Sequence, residues 1–165
     1  GTQVHAPFSA HEQVYIVPMD TVLSTKGTGV VTCVPSDSPD DYAMLMELRK
    51  KAEFYKISPQ WVAQDPVPVV QAPGYSDMIA ADLVKQLKIQ SPKDKNALAE
   101  AKDVAYKQGF YNGRMLQGTF KGEPVTEAKV KVQKEMIDAG LAFKYAEPEG
   151  KIISRSGDDL SLIHI

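Results

Sequence analysis

The 165-residue sequence has one cysteine, Cys33, and only three histidines, at positions 5, 11 and 164. A single cysteine excludes an internal disulfide and a site built from several thiolates, and it fits a reducing compartment. The histidines have neither the spacing of a zinc site nor a recognisable Ser or Cys partner motif. We therefore expect no metal site and no histidine-based nucleophilic site.

Long hydrophobic runs and an excess of basic charge are also absent. No apolar run approaches the ~20 residues that span a bilayer, so we expect no membrane association. Nineteen basic and 21 acidic residues give a formal charge of −2, which argues against a surface coated for unselective nucleic-acid binding. A domain that touches only the end of a nucleic acid stays possible. The sequence begins at Gly1 without a methionine, and we expect that this is not a natural start.

Residues 27–41 contain the clearest local pattern. Residues 30–34, VVTCV, form an apolar, largely β-branched run that predicts a strand buried on both faces, with Cys33 in the core. The preceding glycines, Gly27 and Gly29, permit a tight turn. After the run, Ser38 is a good helix N-cap and Pro39 suits the first helical position. We predict that a helix begins within about two residues of Ser38.

The remaining sequence alternates between helical and strand patterns. Apolar spacing of three and four predicts helices over 77–88, 91–109 and 126–139. Shorter β-rich runs predict strands over 14–17, 67–70, 115–120, 141–145 and 152–154. The sequence thus predicts an α/β fold, with a mixed sheet and surrounding helices.

Asp41 has two compatible interpretations. It follows Ser38 by three residues, which is the back-capping position of a capping box, and residue types alone favour capping over ligand binding. A helix N-terminus also lowers the pKa of a carboxylate and keeps it ionised, which suits a ligand contact. The lysines of the last helix, at 129, 131 and 134, are interpreted as a solvated face, with phosphate contacts as the alternative.

The run GTGVVTCVPSDSPDD, residues 27–41, resembles the signature of the editing domain of eukaryotic cytosolic leucyl-tRNA synthetases. This domain is akin to those of the valyl and isoleucyl enzymes. Further stretches are similar in the same order, so we assign residues 1–159 to the C-terminal portion of that domain and 160–165 to an atypical tail. These stretches are DPVPV (65–69), LKIQS (87–91), LAEAK (98–102), GFY (109–111), FKG (120–122), MIDAG (136–140), EPE (147–149) and ISRS (153–156).

The resemblance implies a hydrolytic function and a set of site residues. In this family the domain hydrolyses the ester of a wrong amino acid on leucine tRNA, because selection by one methylene supplies only ~1–3 kcal/mol. Asp41 is implied to hold the α-ammonium of the misattached amino acid. Thr32 and Val34 are implied to line its side-chain pocket. Gly27, Thr28 and Gly29 are implied to admit the terminal adenosine.

The resemblance also implies the partners and what the chain lacks. The partner is the 3′ end of a mischarged leucine tRNA in the cytoplasm, and no cofactor is expected, since ATP and Mg²⁺ belong to the synthetic core of the parent ligase. A Thr-rich segment that forms the other pocket wall lies upstream of Gly1 in the family. We therefore expect this chain alone neither to ligate leucine nor to edit. The alternatives are a protein-interaction module, linked to leucine signalling through small GTPases, and an inactive truncated product.

Overall fold

The computed structural model describes residues 1–22, 27–146, 148, 150 and 152–160. Its helices are α1 (Pro39–Lys50), α2 (Ile79–Gln86), α3 (Lys95–Ala105) and α4 (Val125–Asp138). A 3-10 turn at Pro59–Val62 follows α1, and a π-helix at Tyr106–Tyr111 continues directly from α3. The predicted helices are thereby confirmed, with boundaries shifted by a few residues.

The strands of the described residues pair two by two. All three pairs are antiparallel: β1 (Gln3–His5) with β2 (Gln13–Tyr15), β3 (Val70–Gln71) with β4 (Arg114–Met115), and β5 (Ile152–Ile153) with β6 (Asp159–Leu160). The α/β class is confirmed. The strands do not, however, join into one sheet within the described residues, and the helices supply most of the buried surface.

Helix α1 lies between two hydrophobic clusters and is the centre of the fold. Ala43 faces the first cluster, which α2 and α3 complete through residues such as Leu83 and Leu98. Met44 and Leu48 face the second cluster, which the segment after α1 completes through Ile57 and Val62. Because two faces of α1 are buried, the position of its N-terminus is fixed from both sides.

The far end of α1 is held by the Arg49 side chain in addition to this packing. Arg49 donates from Nε to the carbonyl of Val62 at 2.7 Å, and from its guanidinium to the carbonyl of Gln64 at 2.7 Å. A planar guanidinium suits such multiple contacts with fixed geometry. Arg49 thus ties the 3-10 turn and the residues after it to α1.

The strand prediction over 30–34 is wrong. These residues have no regular secondary structure, and Val30 and Val31 are 64% and 57% exposed. Cys33 is only half-buried, with its Sγ 3.1 Å from the Met19 sulfur. Strand propensity measures the fit to a neighbouring strand, and none of the three strand pairs includes this run.

Two other strand predictions fail, and several boundaries differ. Residues 141–145 form no strand, and of residues 115–120 only the first belongs to β4. The predicted strands near 14–17, 67–70 and 152–154 are present but shorter. Of the predicted tail, residues 161–165 lie outside the described residues, as do 147 and 149 in the EPE stretch. Among the residues that are described, no helix has the length and apolarity to cross a membrane.

Candidate functional site at the start of α1

The start of α1 is capped as the sequence predicts. Ser38 occupies the N-cap position with an extended backbone, and its hydroxyl accepts a hydrogen bond from the Asp41 amide at 3.4 Å. Pro39 follows as the first helical residue, and the acidic Asp40 and Asp41 fall in the first turn. The cap therefore places both aspartates at the positive end of the helix dipole.

Asp41 does not close the capping box that the sequence suggests. Its Oδ2 reaches past Ser38 and accepts a hydrogen bond from the Val34 amide at 2.9 Å. The Val34 carbonyl in turn accepts hydrogen bonds from the Asp37 and Ser38 amides, at 3.0 and 2.9 Å. Both sides of Val34 are thus bound to the segment that leads into α1, which makes residues 34–41 a closed loop.

Burial changes the electrostatics of Asp41 from what the sequence predicts. Burial raises the pKa of the Asp41 carboxyl above its usual range, and the nearby Asp40 charge adds to the rise. Hydrogen bonds from Val34 and Ser38 and the charge of Lys102 act in the opposite direction without cancelling it. The expectation of a lowered pKa is therefore wrong, because desolvation outweighs the hydrogen bonds and the nearby lysine charge that lower it. A cation that approaches a carboxyl in this state stabilises its ionised form and so lowers its pKa.

A lysine that the sequence analysis did not single out reaches this end of α1. Lys102 of α3 lies with Nζ 3.6 Å from Asp40 Oδ2. Its side chain is 73% exposed, so the contact is a surface ion pair of small energy. The only sequence signal was the LAEAK stretch of the resemblance, to which no role was attached. The structure thus places an exposed cation in contact with Asp40 and close enough to affect the charge of Asp41.

Ser36 and Asp37 form a second polar group next to Asp41 that sequence reasoning missed. Ser36 is buried, and its carbonyl accepts a hydrogen bond from the Ala80 amide of α2 at 3.1 Å. Its hydroxyl donates to Asp37 Oδ2 at 2.5 Å. Asp37 Oδ1 is buried and has no hydrogen-bond partner among the described residues. Burial raises the pKa of Asp37 to about 6, against the lowering effect of the Ser36 hydroxyl.

The predicted glycine turn is present, and Thr28 and Gly29 in it are exposed. Gly27 and Gly29 have φ of +54° and +73°, which glycine adopts without strain. Thr28 bonds locally with Val30 through its hydroxyl, at 3.2 and 3.3 Å, and Thr32 is exposed. Of the predicted pocket residues, Val34 is the one that a hydrogen bond joins to Asp41.

The chemistry available at this site is binding of a cation by a carboxylate. Asp41 offers a partly buried carboxyl, fixed by the Val34 amide and by α1, and a carboxylate of this kind can bind a cation such as a primary ammonium. Among the residues that the structure describes, no three His, Cys, Asp or Glu side chains form a group that could hold a metal ion.

Known proteins resemble both the sequence and the fold. No protein-family model matches the chain. A cytoplasmic leucine–tRNA ligase from Neurospora crassa is 60% identical over 162 residues, which are 98% of this chain and 14% of the ligase. The GlLeuRS-CP1 crystal structure has a TM-score of 0.81 and 32% identity, over 88% of this chain and 58% of that one. The editing domain of the P. knowlesi cytosolic leucyl-tRNA synthetase has a TM-score of 0.80 and 28% identity, over 87% and 49% of the two chains.

These likenesses define the fold as that of a synthetase editing domain. The chain belongs to the leucyl-tRNA synthetase family, and its sequence corresponds to a segment of the inserted editing domain. It spans 14% of the length of the Neurospora ligase and about half of the P. knowlesi editing domain.

Proposed function

We propose that this chain supplies part of the hydrolytic editing site of a cytoplasmic leucine–tRNA ligase, and that Asp41 binds the α-ammonium of a wrong amino acid on leucine tRNA. The observation that carries the proposal is the Asp41 carboxyl itself. It is partly buried, anchored on the Val34 amide, and its pKa is raised by desolvation. Every aminoacyl ester carries an ammonium, and its approach would favour the ionised carboxylate by charge.

The proposed reaction is hydrolysis of the ester between the amino acid and the terminal ribose. A water oxygen attacks the carbonyl carbon, the bond from that carbon to the ribose oxygen breaks, and the ribose oxygen takes a proton. The products are a free amino acid and an uncharged tRNA. Asp41 positions the substrate in this scheme and does not attack it. The reaction needs no cofactor, while ATP and Mg²⁺ would serve the synthetic core of the parent ligase.

The other site residues predicted from the sequence are proposed to surround Asp41. Val34 is fixed beside Asp41 and is proposed to line the pocket for the amino-acid side chain, together with Thr32. Gly27, Thr28 and Gly29 are proposed to approach the terminal adenosine. Cytoplasmic location is proposed from the names of the relatives. The alternative of a module for a small GTPase has less support, because the relatives and solved structures point to the ligase and its editing domain.

The test uses the full-length ligase that carries this segment, with Asp41→Asn. Asparagine keeps the size and an acceptor oxygen but removes the charge, so α1 should keep most of its stability. We expect clearance of mischarged leucine tRNA to fall at least tenfold, roughly the loss of one charge-assisted contact. Leucine activation, measured by pyrophosphate exchange, should stay near the parental rate.

Asp40→Asn is the matched control, because it removes the same charge one residue earlier, at the side chain that faces Lys102. Deacylation is followed as loss of labelled amino acid from the tRNA. Clearance at the parental rate by Asp41→Asn would show that Asp41 only caps the helix, and equal losses in both variants would indicate a general charge effect.

A further inference from the structure

Three aromatic rings cluster on the π-helix that extends α3. Tyr106 and Phe110 stack with their centroids 5.2 Å apart and their planes 8° from parallel. Tyr111 packs edge-on against both rings, at 5.5 and 5.1 Å. Tyr106 and Tyr111 are nevertheless 53% and 60% exposed. The cluster therefore presents large ring surfaces to solvent, although its members already contact one another.

A lysine ammonium lies over one of these rings. Lys129 of α4 places its ammonium 5.0 Å from the centre of the Phe110 ring. The nearest acid along the helix, Asp103, is paired with Lys107 at 2.6 Å, so its charge is compensated. Exposed stacked rings with a cation over one of them are typical of surfaces that bind unpaired nucleobases and their phosphates.

The ring cluster is continuous with the candidate site. Lys102, which contacts Asp40 at the start of α1, precedes Tyr106 by four residues on the same helical segment. Four residues are about one turn, or ~6 Å of rise, so the two side chains share a face. Phe110 continues this face, as its stacking on Tyr106 shows. A row of one lysine and two rings thus leads away from Asp40 and Asp41.

We propose that the exposed faces of Tyr106 and Tyr111 bind unpaired nucleobases in the single-stranded 3′ end of the tRNA whose terminal aminoacyl group reaches Asp41. This inference rests on the proposed function, since it takes the terminal residue to lie at the start of α1. The rings then hold nucleotides upstream of that residue by stacking, and Lys129 lies near their phosphates. Stacking does not discriminate strongly among bases, so the surface is expected to position the strand rather than read its sequence.

Binding to uncharged RNA tests the inference separately from hydrolysis. The purified 165-residue chain is titrated against a fluorescently labelled single-stranded RNA ending in CCA, and against a blunt duplex of the same length. We expect Tyr106→Ala to weaken binding of the single strand about 5- to 150-fold, the range for losing one stacked base. Tyr106→Phe keeps the ring and should bind as the parent chain does.

Phe54→Ala is the matched control, because Phe54 is an equally large aromatic residue, 76% exposed, that belongs to the segment after α1. It should leave binding of the single strand unchanged, and no ring variant should alter binding of the duplex. Circular dichroism checks that every variant keeps its helices. Equal affinities of Tyr106→Ala and the parent chain, or no binding of the single strand by the parent, would overturn the inference.

The outcomes separate this inference from the proposed function. If the ring variants bind like the parent while editing by the full-length ligase still depends on Asp41, only the role of the rings is wrong. If Asp41→Asn edits normally while the ring variants lose RNA, the rings bind RNA but the ammonium site is wrong. A protein partner is favoured instead if Tyr106→Ala leaves RNA binding intact and abolishes a protein complex of the ligase.

Discussion

Asp37 is a residue whose ionised carboxylate destabilises the folded protein. One of its carboxylate oxygens is buried without a hydrogen-bond donor among the described residues, and burial raises its pKa to about 6. The folded protein therefore binds this proton more tightly than the unfolded chain does. The group stabilises the fold below about pH 4, and that contribution is lost as the pH rises through about 6. A carboxyl that destabilises at neutral pH is typical of a functional site.

Asp37→Asn should therefore make the chain more stable at neutral pH. We expect a gain of roughly 1–2 kcal/mol in the free energy of unfolding at pH 7.5, below the full linkage value because the carboxyl is partly exposed. At pH 4 the variant and the parent should differ little. Urea unfolding followed by circular dichroism at both pH values measures this, with exposed Glu53→Gln as control. A variant that is less stable at pH 7.5 than at pH 4, relative to the parent, would contradict the assignment.

At the scale of secondary-structure elements, the sequence predicts those features that depend on interactions between residues close together along the chain. The start of α1 follows from Ser38, Pro39 and the two aspartates, because a cap is a local interaction. The packing of α2 and α3 follows from their apolar spacing in the same way. The strand prediction over 30–34 failed because residue types show only that these residues would fit a strand. Tertiary contacts decide whether a strand forms there.

We predict that residues 30–34 are better protected from solvent when the rest of the editing domain is present. Val30 and Val31 are 64% and 57% exposed here, and the chain covers only 58% of the solved GlLeuRS-CP1 domain. In the full-length ligase, the amides of Val31 and Thr32 should exchange with deuterium at least tenfold more slowly than in the 165-residue chain. Peptides from α1, such as the one containing Leu48, should exchange equally in both. Identical exchange of Val31 in both proteins would contradict this prediction.

At the scale of the whole molecule, some features of the candidate site can be predicted from the sequence and others cannot. The family resemblance indicated Asp41 from its motif, and the structure places it on the Val34 amide. Burial raises its pKa most, the local groups Val34, Ser38 and Asp40 modify it, and Lys102 of α3 lowers it slightly. The longer-range contacts at this site are those of Lys102 with Asp40 and of the Ala80 amide of α2 with the Ser36 carbonyl. Such contacts join residues about 45 to 60 positions apart, and no local pattern specifies them.

The isolated chain should deacylate mischarged leucine tRNA little faster than buffer does. The reason is that the chain covers only 58% and 49% of the solved editing domains, so we expect the rest of the domain to help hold water and the ester together. The measurement is the loss of labelled isoleucine or norvaline from leucine tRNA, with the full-length ligase as the positive control. Hydrolysis by the chain at a rate comparable to the ligase would show that this half of the pocket suffices.

The bond between Asp41 and the Val34 amide has a consequence for how the site tolerates substitution. The donor of this hydrogen bond is the backbone N–H of Val34. Replacing the side chain at position 34 by alanine or isoleucine therefore leaves the hydrogen bond in place. Only proline removes the N–H. An alanine at position 34 would therefore leave this hydrogen bond intact, whereas an alanine at Asp41 would remove it. Under the proposed function, the side chain at position 34 can change its volume to suit a different amino acid without loosening the carboxylate proposed to bind the ammonium. If the proposed function holds, pocket size and ammonium binding can evolve as separate traits.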